Sequence, residues 1–453
     1  MNDIQSRITE YVDETVPPID IDLLVEQLSD TGESTRRLQP ERTHRSWRHR
    51  RWVPILAGAM MILLLIGGAA LLNDPKESPT ITQPTTPAST TSLPSPTTVP
   101  TVVDPAPAVG LWTSHELLGN SVIGDDLVAG SVTSGGPGFV ATGNTWTGTD
   151  VWGRGQIWTS IDGASWSWVA DDDRTLFVEG YFPEGVLSTD SGLIVFGSNN
   201  RQGGTVIWQS SDGTDWSLVT TGDTAPAGDY VTDGLTLASG DYLLYGGAPR
   251  FLVSPDGIAW EMLTTPVTFT AIIQTDTGDL MAAQRRATEP TTWISQDDGR
   301  TWQRHGPDHS IESGQPSAEV RTMEATPFGL IAAGVDADKR PMLWMSEDGR
   351  TFTPALQLPS GAETWAIAFG QGWVVAVGAD EIPQVVEGVN HGPAIWVSED
   401  GHHWQSVPLA GTYLGGGGLY DIAYRDSVFV AVGQHRAEIG GEALVLRWEP
   451  PTG

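Results

Sequence analysis

The phrase "IWTSIDGASW" at residues 157–166 returns as "IWQSSDGTDW" at 207–216, "LWMSEDGRTF" at 343–352 and "IWVSEDGHHW" at 395–404. Looser copies read "LVSPDGIAW" at 252–260 and "ISQDDGRTW" at 294–302. The aspartates of these copies fall at Asp162, Asp212, Asp256, Asp297 or Asp298, Asp348 and Asp400, about 41 to 52 residues apart. That spacing is too long for one strand or helix and matches the period of a propeller blade. A unit of this kind buries its apolar faces only by stacking on copies of itself.

Each part of the unit has a local reason. An apolar run closed by glycine precedes the phrase, as in "GFVATG" (138–143), "GLIVFG" (192–197), "GLIAAG" (329–334), "WVVAVG" (373–378) and "VFVAVG" (428–433). Such runs suit strands buried on both faces. The "IWxS" stretch reads as the next strand, its large ring filling space between units. Ser and Asp side chains then accept backbone N–H groups in a turn where Gly permits positive φ. The closing Trp (Phe352 in one copy) packs over that turn and opens a further strand. The phrase is therefore a hairpin with its own fastening. The Gly 53 and Trp 19 of the composition fit this reading of many tight turns around a β-rich core.

With "DYLLYG" (241–246) and "DLMAAQ" (279–284) there are seven apolar runs, but only six turn phrases. The last unit stops at "ALVLRWEPPTG" (443–453), before an outer strand can form. Residues 110–118, "GLWTSHELL", resemble the segments that open outer strands elsewhere, such as "SWSWVADD". The expectation is an all-β, seven-bladed propeller of four-stranded antiparallel blades over 110–453, with 111–118 pairing beside 443–449. Joining the two ends leaves no ring edge unpaired.

The stretch "SQDDGRTW" (295–302) matches the S-x-D-x-G-x-T-W pattern of an Asp-box, and the other copies resemble its one-shorter form. Residues 111–453 thus resemble the BNR/Asp-box β-propellers of sialidases, some glycoside hydrolases, sortilin-type receptors and photosystem assembly factors. The resemblance implies that Asp162, Asp212, Asp256, Asp297, Asp348 and Asp400 are structural and lie on the rim, away from any active site. A sialidase would also need three arginines on the substrate carboxylate, a tyrosine activated by a glutamate, and an early F/Y-R-I-P strand. Nothing like that strand occurs near 105–140, and the first arginine after the linker is Arg154. The reading therefore leans away from an enzyme, and a fold shared by many activities selects none of them. A glycoside hydrolase on extracellular glycans stays open as the alternative, which would need a carboxylate pair. A membrane sensor signalling through the N-terminal tail also stays open.

Upstream, residues 52–72 form an uncharged apolar run of about 20 residues, enough to span a hydrocarbon core of about 30 Å. Seven arginines lie between Arg36 and Arg51, whereas the far flank holds Asp74, Lys76 and Glu77. The positive-inside bias places residues 1–51 in the cytoplasm and the rest outside. A cleaved signal peptide competes with this reading, since Gly68 and Ala70 offer small residues for cleavage. Residues 73–109 are rich in Thr and Pro and hold almost no large apolar groups, which makes a disordered, semi-rigid stalk. Within 1–35, Ile4, Ile8, Tyr11 and Val12 share one helical face and Leu23, Leu24 and Leu28 another, a docking segment for a cytoplasmic partner or a disordered tail. The organisation expected is that of a single-pass bacterial membrane protein.

The formal net charge is −32, and residues from Val109 onward hold 43 acidic against 15 basic side chains. Such a surface repels nucleic acid and favours basic partners. Cysteine is absent, which removes disulfides and thiol chemistry. No cofactor is expected, because no phosphate-binding glycine loop follows a strand and opens a helix. No metal is expected either: His402 and His403 fill variable turn positions, and "ADDDR" (170–174) lacks an EF-hand ligand pattern. What remains is recognition of an extracellular protein or glycan. Loops between second and third strands, and those between blades, share one end of such a fold and carry Trp146, Trp152, Arg154, Arg174, Tyr181 and Phe182. Aromatics with arginine in surface loops are what interfaces use as anchors.

Overall fold

The computed structural model describes residues 112–117, 126–146, 153–169, 180–199, 203–221, 231–307, 317–381, 391–409, 416–436 and 441–451. The expected tail 1–51, span 52–72 and linker 73–109 lie outside these. Among the described residues no helix is long and apolar enough to cross a membrane.

The described strands form seven antiparallel sheets of four strands each. In six of them the strands follow one another in chain order from the first, innermost strand to the fourth. The innermost strands of blades 1 to 7 are Asp126–Gly135, Tyr181–Thr189, Val231–Thr236, Phe269–Gln274, Glu319–Thr326, Glu363–Gly370 and Gly417–Arg425. Blade 7 departs from chain order. Its third strand, Gly441–Trp448, takes as outer neighbour Thr113–Glu116 from the start of the propeller, with Thr113 opposite Arg447 and Glu116 opposite Leu444. Closure thus uses the segment expected for it. Trp112 stacks on Trp448 at 5.4 Å, and Trp448 stacks in turn on Phe429 at 5.5 Å.

Each seam between neighbouring blades carries one hydrophobic core, seven in all. Alternate residues of a strand face opposite neighbours, so Val140 packs toward blade 2 while Phe139 and Ala141 pack toward blade 7. The third-strand tryptophans Trp158, Trp208 and Trp396 are at most 1% exposed, filling the seams as large apolar wedges. The seam between blades 7 and 1 adds polar clamps. Arg425 donates to the Gly138 carbonyl at 3.0 Å and Arg447 to that of Asp162 at 2.9 Å, while Asp421 accepts from Ser131 and Val132, both at 2.8 Å.

The glycine that closes each apolar run has a steric reason invisible in the sequence. Every innermost strand carries a β-bulge, an extra residue without a partner on the second strand. The bulge presses a carbonyl against the second strand where that glycine sits. A Cβ on Gly143, Gly334 or Gly378 would lie 1.9, 1.9 or 1.8 Å from the carbonyl oxygen of Val128, Glu319 or Glu363. No side chain fits at these three positions. Blade 4 has Gln284 at this position, tied by its side chain to Trp293 and Arg286.

Candidate ligand-binding end of the channel

The two ends of the propeller are chemically unlike. At one end lie the turns between third and fourth strands, built alike in six blades. In blade 1, Ser160 Oγ accepts from Gly163 N at 2.9 Å and donates to Asp162 Oδ1 at 3.3 Å. Asp162 Oδ1 accepts the N–H groups of Ala164 and Ser165, both at 2.9 Å, and Trp166 Nε1 donates back to the Gly163 carbonyl at 3.0 Å. The turn glycine takes φ of 74° here and 68° to 83° in the other five copies. Asp212, Asp256 and Asp400 hold the same bonds, and Asp348 accepts from Arg350 N and Thr351 N.

In the one-longer turn Asp297 is the acceptor, bonding Thr301 N at 2.7 Å, while Asp298 is the inserted residue at φ 55°. Where Phe352 replaces tryptophan, the Gly349 carbonyl takes its donor from Thr292 of blade 4 instead. Backbone donors hold these carboxylates below their usual range; the N–H groups of Asp215 and Thr214 lower Asp212 to about 2. For Asp400 burial works upward, but the His403 ring at 2.6 Å and the N–H groups of His403 and His402 outweigh it. His403 is thus engaged within its own turn. These side chains are consumed in fastening.

The bulges lie toward the other end, near the start of each innermost strand, and a bulge re-aims the side chains around it. Here the residues differ from blade to blade: Glu184 at the bulge of blade 2, Arg321 of blade 5, Trp365 of blade 6 and Tyr420 of blade 7, with Asp233 and Asp421 next to the bulges of blades 3 and 7. Glu184 Oε1 accepts from Ser198 Oγ at 3.0 Å. Asp233 Oδ2 accepts from the Tyr245 hydroxyl at 2.6 Å, and Asp421 Oδ1 from Ile422 N at 2.8 Å. Arg321 pairs with Glu363 of blade 6 at 3.3 Å, and the Trp365 and Tyr420 rings meet at 5.1 Å between blades 6 and 7.

These carboxyls belong to the innermost strands and keep part of their surface open, Asp233 more than a third. Burial pushes Glu184 to about 7 against the pull of Ser198, and Glu324 to about 7 against the N–H of Phe369. Burial likewise raises Asp421 to about 6, with repulsion from Asp233 adding to it, and raises Asp233 itself. Burial first and Glu363 second raise the Tyr420 hydroxyl. Among the described residues no group of three or more His, Cys, Asp or Glu is set to hold a metal ion.

Of the six residues singled out in the sequence, Trp152 and Arg174 lie outside the described residues. Trp146 ends the second strand of blade 1 and stacks on Phe182 of blade 2 at 4.9 Å. Phe182 is only 2% exposed, so it props Trp146 from within the seam rather than offering a face of its own. Tyr181 is half-buried, edge-on to Trp208 at 6.3 Å, and Arg154 opens the third strand of blade 1, half-buried. These four belong to the bulge end, on the side of blades 1 and 2. They are not brought together with Trp365 and Tyr420.

Sequence reasoning passed over Glu184, Asp233, Arg321, Glu324, Glu363, Trp365, Tyr420 and Asp421. A signal existed: each interrupts the short stretch before an apolar run, as in "FPEGV" (182–186), "VTDGL" (231–235), "VRTMEAT" (320–326), "ETWAIAF" (363–369) and "LYDIAY" (419–424).

The closed ring of seven four-stranded sheets defines the class, a seven-bladed β-propeller. No family model matches the sequence. No curated protein matches it either. Among solved structures, YCF48 from Cyanidioschyzon merolae is similar with 15% identity and a TM-score of 0.48 over 75% of this chain and 99% of that one. YCF48 bound to D1 peptide matches at 13% identity and TM-score 0.48 over 78% of this chain and 98% of that one. Trypanosoma rangeli sialidase in complex with the inhibitor DANA matches at 13% identity and TM-score 0.40, over 71% of this chain but only 55% of the sialidase.

Proposed function

We propose that this chain is a recognition protein whose propeller binds an extracellular protein or glycan at the bulge end. In this reading the six Ser-Asp-Gly turns are Asp-boxes and serve as fastenings. Residues 52–72 span the membrane once, residues 73–109 form the stalk, and the tail 1–51 stays in the cytoplasm. The supporting observation is the asymmetry of the two ends. One repeats the same Ser-Asp-Gly turn six times, while the other carries Glu184, Arg321, Trp365 and Tyr420 at four of its bulges. Uniform, internally bonded groups offer a partner little; varied, partly open ones supply specificity. Trp146, Trp152, Arg154, Arg174 and Tyr181 are proposed to extend this surface over blades 1 and 2, with Phe182 supporting Trp146 from beneath.

The test is a screen of the full chain in detergent against glycan and extracellular-protein arrays, repeated with variants at both ends. Binding should weaken with Trp146→Ala or Tyr181→Ala and survive Asp400→Ala in the folded protein. The reverse pattern would move the working surface to the turn end. Protease added to intact cells should remove the chain beyond about residue 75 and spare the tail; a secreted form beginning near Leu71 would replace the anchor by a signal peptide.

A further inference from the structure

We propose that the corner between blades 6 and 7 at the bulge end binds an organic cation, the amine or guanidinium group of a basic peptide segment. The proposal rests on the recognition reading above and names the chemistry of its ligand.

The corner is built from Trp365, Tyr420 and Glu363. Trp365 and Tyr420 are bulge residues of adjacent blades, both partly open, with rings 5.1 Å apart and tilted 46° to each other. Trp365 lies where a Cβ on Gly418 would come within 2.3 Å of its ring, so blade 7 gives up a side chain to seat it. The position is made for that ring. Glu363 acts electrostatically on the Tyr420 hydroxyl, whereas Asp421, next in the strand, turns to blade 1 and accepts from Ser131 and Val132. Two aromatic faces beside a carboxylate attract a cation through ring quadrupoles and full charge together, most strongly where water is partly excluded.

Charge balance points the same way. The seven innermost strands carry seven carboxylates but only two arginines, Arg321 and Arg425. Arg425 serves the opposite end, on the Gly138 carbonyl and Asp426, and Arg321 is engaged by Glu363.

The experiment titrates the full chain in detergent with a fluorescein-labelled hexapeptide of alternating Lys and Arg. An isosteric control carries acetyl-lysine and citrulline, and tetramethylammonium serves as a competitor. The basic peptide should bind, the control should not, and tetramethylammonium should displace the peptide. Trp365→Ala and Glu363→Gln should each raise Kd about tenfold or more, while Trp365→Phe, which keeps a ring, should lose less. Should Trp365→Ala fail to fold, the Glu363→Gln and Trp365→Phe pair carries the test. Far tighter binding of the peptide than of a free alkylamine assigns the cation to a protein partner; equal binding assigns it to a small amine. Equal affinity for the control peptide, or indifference to all three substitutions, overturns the proposal. In that case a ligand from the arrays that responds to Trp146→Ala leaves the recognition reading standing; one that responds only to Asp400→Ala ends both.

Discussion

The turn end and the bulge end are made from the same four strands, yet they answer to different demands. At the turn end the Ser and Asp side chains find their partners within about five residues of chain, so the same short phrase succeeds in six blades. At the bulge end the backbone is what repeats. In five blades a pressed carbonyl meets a glycine without room for a Cβ, at Gly143, Gly197, Gly334, Gly378 and Gly433, and the side chain carried at the bulge is free to differ. The difference teaches where variation is tolerated: a local fastening fixes its side chains, whereas a backbone-held bulge releases its own for other uses.

The harshest way to break the comparison is to put a side chain where the bulge needs none. Gly378→Val forces a Cβ into the Glu363 carbonyl, 1.8 Å away, and should cost about 3 kcal/mol or more in a denaturant melt. Gly401→Ala at the turn end meets the far end of a flexible side chain, Ile331 Cδ1 at 2.9 Å, and a φ of 75°. It should cost about 1 to 2 kcal/mol. Equal costs would mean that the bulges are less rigid than the close approach implies.

Next in size is loss of a fastening. Asp400→Ala removes the acceptor of His402 N and His403 N, both at 2.8 Å, and should lower stability by about 1 to 2 kcal/mol. Ligand affinity of the folded fraction should not change.

Protonation sharpens the contrast, because the innermost strands and the Ser-Asp-Gly turns shift their carboxyls in opposite directions. Glu184 and Glu324 titrate at about 7 in the fold, and Asp421 at about 6, above their ordinary values. The folded state therefore keeps protons that the unfolded chain has already released. This contribution is full below the ordinary carboxyl range and is lost as pH rises toward 7. The turn aspartates are depressed instead, so their contribution is present above the ordinary range and lost as pH falls below about 4. Melting temperature against pH should peak between the two windows. Glu184→Gln with Glu324→Gln should flatten the limb toward neutral pH, and Asp400→Asn should soften the acid limb. A melting temperature that climbs steadily from pH 4 to 7 would contradict the raised carboxyls.

The smallest effect concerns the blade 1–2 side of the bulge end. Trp146→Ala uncovers one face of Phe182 and should lower stability by about 1 kcal/mol, and should weaken a ligand there by about 1 kcal/mol.

The sequence by itself determined the architecture of the propeller. Its period, seven apolar runs, six turn phrases and one orphan opening segment add up to seven blades closed by Thr113–Glu116 against Gly441–Trp448, because each signal is local and repeats. The turn chemistry was equally legible, save that only the φ of 55° at Asp298 separates the inserted residue from the true acceptor, Asp297. Tertiary structure alone decided the rest. Phe182 reads as a surface anchor in a loop-rich stretch, but the seam between blades 1 and 2 closes over it. The carboxylates and rings of the channel come from five blades, up to 237 residues apart between Glu184 and Asp421. A pattern with a period of one blade describes each blade's own strands. It does not describe what seven bulges bring face to face across an axis, because closure of the ring sets those distances.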